Sequence, residues 1–458
     1  MVRFLEYCRT FYKGAYYPIL VLLLVFIGHT MKMELIFGGI MMLTVAFGLL
    51  IGHDVKFTMM PLMATFFIIP ARNFSPADPG YGEYYLQPAV LIYIIVLAAI
   101  VAASILFFVI RNRKIANPIT VKGPFLSIVI FCGVLLLNGL FSENYTVMNM
   151  AFTVFMILAM PVVYLIFAAF LHFEKSVVDY FMRCLVGIGM LISAELVVAY
   201  MTDVRFVAGD IVKESVVLGW GVWTNIGSML VFLMPACFYF AHSHKKGWIG
   251  YLLGLIELFC ILLSQSRAAL LVGALSFVLC VLYLCFSGKN QKLNRILTLS
   301  ILALGLLALP FVFDKVKTLL GNFLEQGLGD NGRFDLWSSA IDAFLRNPIL
   351  GSGFYDVCHY EGWGMFGMPQ MCHNTILQVL GTAGILGILA YGYHRFETVR
   401  LVVVKRNPVK MFLGICILGF LLFGMLDVVF FIAYPNIFYT IMLLIMQYTD
   451  SPAEELYL

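Results

Sequence analysis

From residue 17 to residue 449 the chain is a succession of apolar runs of about membrane length, separated mostly by short charged segments. In lipid such a run must be helical, because a helix satisfies its own backbone N–H and C=O groups where no water can. Hydrophobic residues make up 62% of the chain and charged residues 12%, against about 45–50% and 25% in globular domains. A soluble core cannot hide that much apolar surface. The expectation is an all-α polytopic integral membrane protein. Its spans read as 17–30, 34–51, 56–70, 88–110, 124–141, 149–171, 177–200, 220–241, 248–263, 267–287, 293–313, 373–393, 411–427 and 433–449, or twelve to fourteen in all. The first run follows Arg3, Arg9 and Lys13 as a signal peptide would. Met31-Lys32-Met33-Glu34 follows it in place of a small-residue cleavage site, so it reads as an uncleaved span.

Charge placement orients the bundle. With the N-terminus cytoplasmic, 20 of the 29 Lys and Arg residues fall on inner segments, as the positive-inside rule requires. Both termini are then expected in the cytoplasm. The net charge of +4 is this topological signal spread over short loops, and it implies no nucleic-acid partner. Most cysteines lie in or beside spans and read as small hydrophobes. Cys358 and Cys372 instead fall in an outer loop, open to a disulfide or to free thiols. Their adjacency to His359 and His373 lacks the Cys-x2-4-Cys spacing of a zinc site, so no metal is expected.

The chain divides at 1–219 and 220–313, both membrane helices, then an extracytoplasmic loop at 314–372 and C-terminal membrane helices at 373–458. A connection as long as 314–372 is uncommon without purpose. Within it Phe334, Trp337, Ile341, Phe344 and Leu345 recur at helical spacing behind Asp330-Asn331-Gly332. This predicts an amphipathic helix from about Arg333 to Arg346, lying on the membrane or capping the bundle. Gly351-Ser352-Gly353 and the stretch Gly362–Met371 read as a mobile flap. No internal repeat is visible, and the two halves share no broken-helix pattern.

Three residues with useful chemistry meet the outer boundary in this topology. His373 opens the apolar run at 373–393, where a titratable ring reaches both water and lipid-linked molecules. Arg267 starts the run at 267–287 and Arg333 starts the loop helix; a helix N-terminus favours anions, and a guanidinium fork matches phosphate. The loop is net −3, so anion binding there must come from individual arginines. Plainer readings stand beside these: His373 as an interfacial helix cap, Arg267 as a snorkelling anchor, Arg333 as a partner of Asp330 or Asp335. Glu195 and Glu257 lie within spans, where carboxylates are functional candidates.

In their order, Ser266-Arg267-Ala268, Gly332-Arg333 with Trp337, Asn347-Pro348-Ile349-Leu350-Gly351-Ser352-Gly353, and His373-Asn374 with Gly384 resemble the bacterial O-antigen ligase and polymerase superfamily, across about residues 220–395. The resemblance implies a GT-C-like membrane glycosyltransferase, inverting and metal-independent, that needs no cofactor. It would move a glycan from undecaprenyl diphosphate to a sugar hydroxyl during O-antigen, capsule or exopolysaccharide assembly, as ligase or polymerase. His373 would be the catalytic base, Arg267 and Arg333 would hold the diphosphate, and Arg205 in the 201–219 loop is a further candidate. Partners would be the lipid-linked donor, a glycan or glycolipid acceptor, membrane lipid and other polysaccharide-assembly membrane proteins. The site would be the bacterial cytoplasmic membrane, with the active face outside. A transporter or flippase of lipid-linked glycans and a non-catalytic assembly protein are the alternatives.

Overall fold

The computed structural model describes residues 2–73, 81–119, 121–142, 145, 147–202, 216–288, 290–325, 333–353 and 371–449. Apart from turns and an isolated antiparallel bridge between Val217 and Val222, the described residues are helical. The chain is the expected all-α polytopic bundle. Its main helices are α1 (Val2–Lys13), α2 (Tyr16–Thr30), α3 (Glu34–Ile51), α4 (Pro88–Asn112), α5 (Gly123–Leu140), α6 (Val147–Phe170), α7 (Lys175–Thr202), α8 (Trp223–Leu233), α9 (Pro235–Ser243), α10 (Gly247–Leu263), α11 (Arg267–Phe286), α12 (Gln291–Glu325), α13 (Arg333–Arg346), α14 (Thr375–Val403), α15 (Pro408–Gly424) and α16 (Ala433–Tyr448). Proline at the start of α4, α5, α9 and α15 places its missing N–H where no intrahelical partner exists.

Among the described residues eight helices are long and apolar enough to cross a membrane, or nine if the bent pair α1–α2 counts as one. The runs expected at 248–263 and 411–427 form the shorter apolar helices α10 and α15. That at 56–70 is a short helix, Met59–Ala64, between two 3-10 turns, with Pro61 inside it. Burial separates the inside of the bundle from its rim. The α8–α9 span is 89% buried, whereas α4 is 11% buried and turns its apolar side chains outward, toward lipid.

The amphipathic helix predicted in the loop is α13, with the expected bounds. It packs on the start of α14 through Leu336, Ala340 and Ala343, one stripe at helical spacing, which closes over Cys372 with Trp337 and Leu377 alongside. Phe334, Ile341 and Leu345 stay exposed on its other faces. One apolar side therefore caps the bundle.

α14 is not the unbroken helix expected over 373–393. At Gly384 φ is 59° and ψ −154°, a conformation essentially reserved for glycine. The segment 348–353 fills the break. Ser352 and Gly353 donate their N–H groups to Gly381 O (2.8 Å) and Thr382 O (2.9 Å). Beyond the break the N–H groups of Ile385 and Leu386 reach Pro348 O (2.9 Å) and Ile349 O (3.3 Å). From α5, Asn138 Nδ2 donates to Ala383 O at 3.0 Å. Backbone groups freed by the kink thus find partners inside the protein, as a low-dielectric setting demands. Gly351-Ser352-Gly353 is a clamp, not part of a flap; residues 354–370 lie outside the described residues.

Candidate functional site

The turn from Cys372 to Thr375 is fixed before α14 begins. Asn374 caps the helix by accepting from the N–H groups of Ile376 (3.0 Å) and Leu377 (3.1 Å), a favoured cap for otherwise orphaned donors. The Cys372 N–H donates to Gln378 Oε1 at 2.8 Å, and its buried thiol donates to Asn374 O at 3.2 Å. Three further bonds stitch the turn to the segment after α15. His373 Nδ1 pairs with Asp427 Oδ1 at 3.0 Å, Asn374 Nδ2 donates to Met425 O at 3.0 Å, and Thr375 Oγ1 donates to Asp427 O at 3.2 Å. His373 itself takes φ 51°, a left-handed backbone tolerated better by His than by most residues.

Burial and charge then act on the pair in opposite directions. Desolvation disfavours the imidazolium, but the hydrogen bond and the negative charge of Asp427 outweigh it and raise the His373 pKa above the ordinary 6.5; Arg333 pulls it partly back. Asp427 is buried, which favours its neutral form. Its bonds to His373 and to the Val428 N–H, with the field of Arg333, nonetheless hold its pKa below the ordinary carboxylate value. The His373 side chain is 43% exposed and that of Asp427 10%. One carboxylate therefore anchors Nδ1 from below while the ring stays accessible, and Nε2 makes no hydrogen bond among the described residues.

Arg333, the first residue of α13, is close enough to act electrostatically on both members of the pair. Arg267 reaches the same end of the bundle by a different route. Its helix α11 runs antiparallel to α15: Cys280 lies near Cys416, and Ser276 lies against Gly419. Nine residues on from Ser276, about 13 Å at 1.5 Å per residue, is Arg267. Gly424 is about 8 Å along α15 from Gly419, with Asp427 three residues beyond. Arg267 and the dyad thus share a level on adjacent helices. Beside Arg267, the Tyr200 hydroxyl accepts from Gln265 Nε2 at 3.3 Å, and Ser266 Oγ accepts from Ala269 N at 3.3 Å. Arg205 lies outside the described residues, as do Cys358 and His359.

Glu195 and Glu257 do not join this group. Glu195 accepts from Trp220 Nε1 at 3.0 Å and has His29 Nδ1 at 4.0 Å. Glu257 lies between α7 and α10, where Gly189 leaves room for its carboxylate, and accepts from Cys237 Sγ at 3.3 Å. The residue that sequence reasoning passed over is Asp427. It is the only acidic residue between Glu397 and Asp450, and a lone carboxylate at a span end was the available signal.

Residues 250–392 match the family model described as O-Antigen ligase. That segment runs from α10 through α11 and α13 into α14, and it holds Arg267, Arg333 and His373; Asp427 lies beyond it. Over 164 residues the chain is also 23% identical to a protein of Rickettsia typhi provisionally named a polysaccharide ligase. The alignment takes 32% of this chain and spans 39% of that relative's length. The resemblance to the O-antigen ligase and polymerase superfamily is thereby borne out.

Proposed function

We propose, on the premise of the O-antigen ligase match across residues 250–392, that this multi-pass membrane protein is an inverting glycosyltransferase. It moves a glycan from undecaprenyl diphosphate to a sugar hydroxyl during cell-surface polysaccharide assembly. The observation that carries this reading is the His373–Asp427 pair at 3.0 Å, beside Arg333. The acceptor oxygen attacks the anomeric carbon, and the bond from that carbon to the diphosphate oxygen breaks with its electron pair leaving on the diphosphate. The hydroxyl proton passes to His373 Nε2, while Asp427 holds Nδ1–H and stabilises the imidazolium that forms. Arg333 and Arg267, with Arg205 as a further candidate, neutralise charge gathering on the departing diphosphate. The side chains supply proton transfer and charge stabilisation, so the reaction needs no metal or cofactor. Ligase and polymerase differ here in the acceptor alone: a terminal glycolipid or a second lipid-linked repeat.

A flippase would use the broken helix α14 differently, exposing freed backbone groups to cargo. Here Gly381, Thr382, Ala383, Ile385 and Leu386 are engaged by the chain itself. Under this proposal the chain lies in the bacterial cytoplasmic membrane, His373 faces outward and both termini are cytoplasmic.

Purified protein in lipid vesicles, given a polyprenyl-diphosphate glycan and an acceptor saccharide, is expected to release polyprenyl diphosphate and form a glycosidic bond of inverted anomeric configuration. NMR of the product reads the configuration. A retained configuration would rule out direct attack by the acceptor, and glycan crossing the bilayer without bond formation would make the protein a flippase.

A further inference from the structure

At the end of the bundle opposite His373 lies a crevice of about 710 Å³ between α2, α7 and α10. Its place follows from packing. Tyr200 and Gln265 tie the end of α7 to the start of α11, and His29 lies beside Glu195, so the opposite ends of α2, α7 and α10 meet far from the dyad. The crevice has two chemically distinct halves. Among the described residues its rim carries Lys13, Lys56, Arg183 and Lys246 against one lining carboxylate, Asp179, with Asp54 close enough to act electrostatically on Lys13 and Lys56. Asp179 already accepts from the Tyr239 hydroxyl at 3.0 Å. Lys56 Nζ is 3.5 Å from Ser176 Oγ and sits over the Tyr180 ring. Lys13, Arg183 and Lys246 make no ion pair or hydrogen bond among the described residues.

Below the rim the wall turns apolar through Pro18, Ile19, Leu22 and Leu253. It closes at Gly187, where a Cβ would stand 2.9 Å from Leu22 Cδ1. From Ser176 to Gly187 on α7 is about 16 Å at 1.5 Å per residue. Ile19 is 53% exposed at the side of the crevice, so it opens along the bundle surface as well as at its end. α1 marks the same level. It leaves α2 at 70° and carries Arg3, Arg9 and Lys13 with Phe4 and Tyr7 exposed, the composition of a helix lying in the headgroup plane. A soluble anion would use the rim and leave the sideways apolar groove empty.

We propose that this crevice is a binding site for an anionic phospholipid of the surrounding leaflet. The headgroup phosphate is held by Lys13, Arg183 and Lys246, and an acyl chain runs along Leu22 and Leu253. Unpaired cations at headgroup depth above an apolar channel are complementary to that one class of molecule. The site is independent of the glycosyl-transfer reading.

The test is native mass spectrometry of protein released from bilayers mixing phosphatidylcholine with phosphatidylglycerol. The ratio of phosphatidylglycerol to phosphatidylcholine retained on the protein is expected to exceed the ratio in the bilayer by at least about tenfold. Lys13→Ala/Arg183→Ala/Lys246→Ala should abolish the excess, and Arg113→Ala/Lys114→Ala/Lys245→Ala, three basic residues outside the crevice, should keep it. Leu253→Trp fills the apolar wall, leaves every cation in place and should also release the lipid, which covers a triple variant that fails to fold. Equal retention of the two lipids, or a crevice variant that keeps phosphatidylglycerol, would overturn the proposal. Displacement of the lipid by inorganic phosphate alone would reduce the site to a bare anion site and overturn it as well.

Discussion

His373 sits at φ 51°, and the turn that enforces this backbone also aims Nδ1 at Asp427, 3.0 Å away. The position of His373 was legible in the sequence, since a ring before an apolar run falls at the membrane border. Its environment was not. Asp427 is 54 residues further on and reads as the last residue of a span, and only the packing of α14 beside α15 brings the two together. An imidazole with no charged neighbour titrates near its ordinary value, and the carboxylate raises it. To accept a proton the ring must be neutral. With its pKa raised, activity should fall on the acid side of a limb lying above 6.5. Asp427→Asn removes the hydrogen bond to a charged partner and the charge, both of which raise the pKa, and leaves burial, which lowers it. In a profile of kcat/KM against pH, the acid limb of Asp427→Asn should move below 6.5 with a lower plateau, because the ring is then a weaker base. A limb at the wild-type position would show that His373 is not the titrating group.

Among the elements, α13 was readable because its apolar residues repeat at helical spacing, though the face that packs proved to be Leu336, Ala340 and Ala343 rather than the larger side chains. The break in α14 was not readable. A glycine inside an apolar run is ordinarily tolerated, and the segment that pries the helix open lies more than 30 residues earlier. Once folded, the shared requirement is plain: Gly351 (φ 70°) and Gly384 (φ 59°) are each pressed against the other's backbone strand. A Cβ on Gly384 would stand 2.5 Å from Ile349 O. Gly384→Ala should therefore cost at least about 1–3 kcal/mol, seen as a lower melting temperature in detergent, whereas Gly305→Ala, with open space around it, should leave melting unchanged. Equal melting of the two would mean that the clamp carries no strain-sensitive packing.

Across the whole molecule, chemistry is sorted to opposite ends. The end that carries His373, Asp427, Arg333 and Arg267 has individually placed charges, whereas the other has the basic crevice and the bent α1. Composition and run length made the membrane class and most helix bounds legible, since the bilayer imposes one solution on a long apolar run. The shorter and broken spans were harder because their shape is set by neighbouring helices. The proposed transfer rests on the His373 ring accepting the acceptor's proton. It is tested by release of polyprenyl diphosphate and bond formation in vesicles, comparing wild type with His373→Asn, which tolerates the left-handed backbone but offers no base. Insertion and melting should be unchanged and transfer reduced by at least about 10²–10⁴-fold. Transfer by His373→Asn at the wild-type rate would contradict it.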